Sequence, residues 1–203
     1  IVLLCADGAF EVLARLASIP ETAGGAARHV AANAMAAAGL ALSLGADRDA
    51  VRTGLEGDSF AGHLKPRFSV IDTPRFKLVL DKALGPLALQ HGVQATGRIR
   101  VEGNRVAIVS APDATTDDML GQMAAAAAGE FDYFVCYGTS ANRYAMALEN
   151  ASVANDLIVR EEDLVSACKT ARALVTDAGL IYVQVAYPID HEPVKAALGI
   201  GRN

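Results

Sequence analysis

Two polar side chains stand out against their surroundings. His29 and Asn33 lie four apart in Arg28-His29-Val30-Ala31-Ala32-Asn33-Ala34-Met35-Ala36-Ala37-Ala38, so both project from one face of an alanine-rich helix near its start. An amide donates and accepts at once, and burying one without partners costs about 1–3 kcal/mol. Asn33 is therefore expected to meet either loop backbone or a ligand. A second group of candidates follows apolar runs: Asp81 after 76–80, Ser110-Ala111-Pro112-Asp113 after 106–109, Tyr137-Gly138-Thr139-Ser140, and Ala186-Tyr187-Pro188. Ligands of open α/β sheets bind outside the carboxyl ends of the strands, which is where these residues fall. The acidic stretches have simpler readings. Thr115-Thr116-Asp117-Asp118 suits a helix cap, and Glu161-Glu162-Asp163 opens a helix where the macrodipole favours negative charge.

Other chemistries are argued against by what the motifs lack. No G-x-S-x-G elbow occurs and the four histidines are far apart, which disfavours a hydrolase triad. No G-x-G-x-x-G follows a strand and no G-x-x-x-x-G-K-[ST] is present, so the chain has no phosphate cradle of its own and is not expected to hydrolyse a nucleotide alone. Cys5, Cys136 and Cys168 form no C-x-x-C pair and sit in apolar segments. They read as reduced core thiols of a cytoplasmic protein rather than as metal ligands or a disulfide scaffold.

Positioning these residues requires a folded core. With 203 residues, 52% hydrophobic and 20% charged, the chain can bury one, and no apolar run reaches the length of a membrane span. A net charge of -5 argues against nucleic acid and anionic membrane surfaces as partners and favours small molecules or proteins. The oligomeric state is not fixed by the sequence, and a homo-oligomer remains open. The chain opens at Ile1 with no methionine or cleavable leader, from which we expect a processed or excised piece.

Two short strands, 1–5 and 10–14, are expected as a hairpin about Asp7-Gly8. Residues 26–44 should form a helix buried on most of its circumference and stopped by Gly45, and Asp47 should cap a second helix. The stretch between Gly57 and Pro66 marks a boundary, dividing the chain into 1–64 and 65–203. Beyond it, strands at 68–71, 76–80, 106–109, 133–137, 156–159 and 180–185 alternate from about residue 80 with helices near 83–94, 116–128, from 142, 162–176 and 194–198. Continuous apolar strands alternating with helices of ten or more residues predict a Rossmann-like α/β domain with a mostly parallel sheet.

The order of motifs resembles the Mur ligase superfamily: H-x-x-x-N-A-x-A-A at His29 to Ala37, a short helix ending at Gly54-Leu55, Pro66-Arg67, and a strand ending in Asp81. Within that superfamily the chain is similar to the carboxy-terminal half of cyanophycin synthetases, through Ile19-Pro20-Glu21-Thr22-Ala23-Gly24-Gly25 and the stretch 109–118. The resemblance implies that 1–64 is the end of a central ATP-binding domain and that 65–203 is the amino-acid-binding carboxy-terminal domain. It implies ATP and Mg2+ as cofactors of the parent protein, and a nucleotide and an amino acid or peptide as its partners. Amide bonds would form through an acyl phosphate. By the same resemblance Asn33 meets the adenine, with His29 beside it among the nucleotide-binding residues, Arg67 reaches the phosphates, Asp81 contacts the ribose or orients the closed domain, and Ser110, Asp113 and Asp117 are candidates to hold the incoming amino acid. The departures are Leu84 and Gly85 in place of a histidine and an asparagine, Pro66 in place of a glycine, and Asp113-Ala114-Thr115-Thr116 in place of an arginine-bearing turn. Lost cations remove charge stabilisation that shape cannot replace, so a degenerate, non-catalytic scaffold or regulatory module is the alternative expectation.

Overall fold

The computed structural model describes residues 2–6, 9–57, 68–184 and 191–201, and the chain divides into two compact units, Ile1–Pro66 and Arg67–Asn203. Arg67 lies outside the described residues, as do Asp7-Gly8 and 186–188.

In the first unit, β1 (Val2–Ala6) pairs antiparallel with β2 (Ala9–Ala14). Two 3-10 turns follow, the second opening at Pro20, whose missing N–H is no loss at a helix start. Thr22 ties them together: its hydroxyl donates to the Leu16 and Ile19 carbonyls and accepts from the Gly25 N–H at 3.1 Å. Ala23, Gly24 and Gly25 all have positive φ, a path that glycine takes without strain. Helix α1 (Arg28–Ser43) ends at the left-handed Gly45, and Asp47 caps α2 (Arg48–Glu56) by accepting from the Asp49 and Ala50 N–H groups. Leu13, Ala14, Ile19, Ala38 and Val51 form the core, with Ala34, Ala41 and Leu42 against it.

Helix α1 departs from the expectation of near-complete burial. Only Ala31 and Ala38 are buried, while Asn33, Ala36, Ala37, Leu40 and the following Leu44 form one exposed face. The physical reason is that β2, the Pro20 turn and α2 cover only the other face. A run of alanines thus recorded a close-packed seam on one side rather than enclosure all round.

The second unit is built on a six-stranded sheet ordered β3-β4-β8-β5-β6-β7. Its strands are β3 (Phe68–Asp72), β4 (Phe76–Asp81), β5 (Arg105–Val109), β6 (Tyr133–Tyr137), β7 (Ile158–Glu161) and β8 (Gly179–Gln184). β3 runs antiparallel to β4, and every other pair is parallel. The helices are α3 (Pro86–Gly97), α4 (Asp117–Ala127), α5 (Ala141–Asn150), α6 (Leu164–Leu174) and α7 (His191–Ala197). Pro86 occupies the first turn of α3, Thr116 caps α4 through the Met119 N–H, and Asp163 caps α6 through the Ser166 N–H. The strand expected from Asp156 begins at Ile158, because Asn155–Leu157 forms a 3-10 turn first.

Alternation along the strands sorts the core. Leu78, Leu80, Val106, Ile108, Val135, Ile181 and Val183 face α6 and α7 through Ala167, Cys168, Ala171, Val194 and Leu198. The intervening positions face α3, α4 and α5, where Asp81 meets Gly92 and Gln184 meets Tyr144. Cys136 and Cys168 are buried and unpaired, and burial pushes both thiols up to about 12, which leaves no thiolate at neutral pH. The carboxyl ends of β4, β8, β5, β6 and β7 all open on one edge, which frames the candidate site.

Candidate functional site

At that edge the connection after β5 is shaped by residues from the connection after β6. Ser140, almost wholly buried, accepts a hydrogen bond from the Ala111 N–H at 2.9 Å, and its hydroxyl lies 3.3 Å from that of Ser110. Burial pushes the nearby Tyr137 phenol up to about 12, with Ser110 pulling against the shift. Thr139 donates to the Asp113 carboxylate at 2.6 Å. Arg143, in the first turn of α5, reaches the Asp117 carboxylate through Nε at 3.0 Å and Nη2 at 2.6 Å. Nη2 also donates to the Thr115 carbonyl at 2.8 Å. Gly138 turns the chain out of β6 at φ 75, and its N–H bonds to the Glu161 carbonyl.

Ser110, Asp113 and Asp117 are thus brought together, and Arg143 and Ser140 complete the group. Sequence reasoning missed Arg143, although a signal existed. An arginine in the first turn of a helix opposes the macrodipole and calls for a nearby carboxylate. Its position matters because the turn 113–116 lacks a cation of its own, and Arg143 brings one to it from the next helix. A guanidinium, two hydroxyls and two carboxylates at one strand edge can bind a small molecule carrying both charges.

Asp81 stands at the same edge at the end of β4, but its side chain points inward. It is 4% exposed, and the Tyr182 hydroxyl donates to Oδ2 at 2.7 Å. Burial holds this carboxyl up at about 7, with the Tyr182 bond pulling against the shift. Beside it Gln184 is also buried, donating to the Ala83 carbonyl at 2.9 Å and accepting from the Tyr144 hydroxyl at 3.2 Å. A glutamine inside an apolar strand was the available sequence signal for this network, since a buried amide demands partners.

His29 and Asn33 belong to the first unit, with His29 half-buried and Asn33 exposed. The alternative in which loop backbone covers Asn33 is therefore corrected: the residue stands exposed at one end of the open α1 face. Arg67 is outside the described residues. Two open grooves of about 320 and about 730 Å³ lie elsewhere, at the amino ends of the strands. The first is lined by Arg105, Glu130 and Asp132, and the second by Arg75, Lys77 and Asp177. Among the described residues no group of three or more His, Cys, Asp or Glu side chains is placed to hold a metal ion, and no helix is long and apolar enough to cross a membrane.

The strand order and edge geometry define a mixed α/β fold with a mostly parallel six-stranded sheet, shared with the carboxy-terminal part of solved Mur ligases. UDP-N-acetylmuramate-alanine ligase from Thermotoga maritima matches over 84% of this chain and 37% of its own, at 19% identity and a TM-score of 0.62. The UDP-N-acetylmuramoylalanyl-D-glutamyl-2,6-diaminopimelate–D-alanyl-D-alanyl ligase from Acinetobacter baumannii matches over 84% of this chain and 36% of its own, at 17% identity and a TM-score of 0.61. Folylpolyglutamate synthase from Mycobacterium tuberculosis, solved with ADP and AMPPCP, matches over 78% of this chain and 36% of its own, at 18% identity and a TM-score of 0.52. The chain therefore spans little more than a third of the length of each. No family model matches the chain, and no curated protein matches it.

Proposed function

We propose that this chain is the carboxy-terminal portion of an ATP-dependent ligase of the Mur ligase superfamily, joining an amino acid to a carboxylate through an acyl phosphate. The observation that carries the reading is the agreement of two independent features. The motif order from His29 to Asp81 resembles that superfamily, and the sheet shares its fold with three ligases. Likeness to cyanophycin synthetases rests on residues 19–25 and 109–118.

On this reading 1–64 ends an ATP-binding domain and 65–203 receives the incoming amino acid. The exposed Asn33 amide, flanked by apolar Ala36 and Ala37, fits the edge and face of a base. Arg143 and Asp113 suit the carboxylate and ammonium of an amino acid, with Ser110 and Ser140 holding the turn that presents them. Asp117 is the anchor of Arg143 rather than a free ligand. Asp81 fits a ribose contact poorly, being closed off by Tyr182 and Gly92. Bound ATP and Mg2+ would supply the phosphoryl group and offset its charge; the chain's own task is to orient the amine and exclude water. The partners on this reading are soluble small molecules, with the protein in the cytoplasm.

A non-catalytic scaffold is the second reading. It is favoured by the inward turn of Asp81 and by Leu84, half-exposed where the resembled motif carries a histidine. Calorimetry with ATP and Mg2+, on this chain and on a longer version carrying upstream sequence, tests the first reading. Binding that weakens about tenfold or more in Asn33→Ala supports it. No binding to either, or binding indifferent to Asn33→Ala, rejects it. ADP release by the longer version with amino acid and acceptor rejects the scaffold reading.

A further inference from the structure

We propose that Asp81, Tyr182 and Gly92 form a proton-operated latch that clamps α3 to the β4–β8 centre of the sheet: closed while the carboxyl is protonated and loosened when it ionises. The inference does not depend on the ligase reading, since it concerns only contacts within the second unit.

The geometry is that of a made-to-measure notch. A Cβ on Gly92 would lie 1.8 Å from Asp81 Oδ2 and 2.9 Å from its Cγ, so the carboxyl occupies the space that any other residue's side chain would need. From β8, Tyr182 supplies a hydrogen bond at 2.7 Å. From α5 comes the buried Tyr144, whose hydroxyl is directed to Gln184 instead. From α3 come Gly92 itself and Thr96, whose hydroxyl bonds back to the Gly92 carbonyl at 2.8 Å; His91, beside Gly92, is solvent-exposed. Among the described residues no cation is among the groups acting on Asp81, and burial holds its carboxyl up at about 7.

Ionisation places a charge in this notch with one hydroxyl, that of Tyr182, to stabilise it among the described residues. A buried carboxylate so poorly partnered is relieved by admitting water, and the wall that can yield is α3, because the other walls are central strands. Loss of the proton to solvent therefore shifts α3 and the 82–85 turn towards an open state. That turn lies at the ligand edge, so the latch would set its mobility within the physiological pH range.

The test is carbon NMR of the Asp81 carboxyl together with hydrogen exchange of the α3 amides in the full chain, corrected for the pH dependence of chemical exchange. We expect the carboxyl to titrate near 7, the value to which burial raises it, and α3 protection to fall about tenfold or more as pH rises from about 5 to about 8. Asp81→Asn should abolish that fall. Tyr182→Phe, which removes the bond that favours the ionised form, should move its midpoint to higher pH. A carboxyl that titrates below about pH 5, a fall that persists in Asp81→Asn, or a midpoint unmoved in Tyr182→Phe would each overturn the latch.

Discussion

Among the bonds that hold the connection after β5 are one from a buried hydroxyl and one exposed ion pair, and the structure says which of the two matters more. In Ser140→Ala the Ala111 N–H, in a residue 3% exposed, loses its acceptor where water has little access. An orphaned buried donor costs about 1–3 kcal/mol, so we expect about 2 kcal/mol. Arg143→Met keeps the packing of the stem but removes the pair with Asp117, whose side chain is 88% exposed. Such a pair is worth about 0–1 kcal/mol, and the Thr115 carbonyl can turn to solvent, so the total should be near 1 kcal/mol. The residue with the more conspicuous interaction should therefore matter less to stability. Urea denaturation followed by tyrosine fluorescence measures this cleanly, because all five tyrosines lie beyond residue 130 and the chain has no tryptophan. In about 1 M sodium chloride, where screening acts within about 3 Å, the Arg143→Met cost should shrink while the Ser140→Ala cost stays. An Arg143→Met cost larger than that of Ser140→Ala at both salt concentrations would refute the reasoning.

Three further outcomes are expected. A carboxyl raised from 3.8 to about 7 binds more protons folded than unfolded, so stability is highest below about pH 4 as far as Asp81 is concerned and declines to about pH 7. The decline integrates to about 4 kcal/mol, and denaturation midpoints of Asp81→Asn against pH should lack it. Gly92→Ala forces a Cβ onto the Asp81 carboxyl and should destabilise by about 3 kcal/mol, with most of the loss recovered in the Asp81→Ala background of a double-mutant cycle. Gly121→Ala, in the interior of α4 with open space at its Cβ position, should stabilise by about 0.5–1 kcal/mol, read as a higher melting temperature.

Much of the second unit was legible in local patterns. The run 133–137 reads as a buried strand because both of its faces are apolar, and it forms β6. Pro86 marked the first turn of α3 and Thr116 the cap of α4, because each meets a need set by nearby backbone groups. The site was legible in position but not in contacts. Ser110 and Asp113 could be placed at a strand end and Asp117 at a helix start from local pattern, whereas their partners Thr139, Ser140 and Arg143 come from 26 to 30 residues further along. Helix α1 shows a related limit: alanine content reports that packing is close, not on how many sides it occurs.

By itself, the sequence determined the alternation of strand and helix, the apolar faces, the caps and the edge on which polar residues collect, because each depends on neighbours within a few residues. Tertiary structure alone decided that Asp81 turns inward onto Gly92 and Tyr182, and that Arg143 serves the turn before α4. Those outcomes depend on which strands lie side by side, β8 between β4 and β5, and no local pattern encodes that order. A side chain's chemistry is written in the chain, but its solvent, its partners and its charge state are settled by whatever the fold places against it.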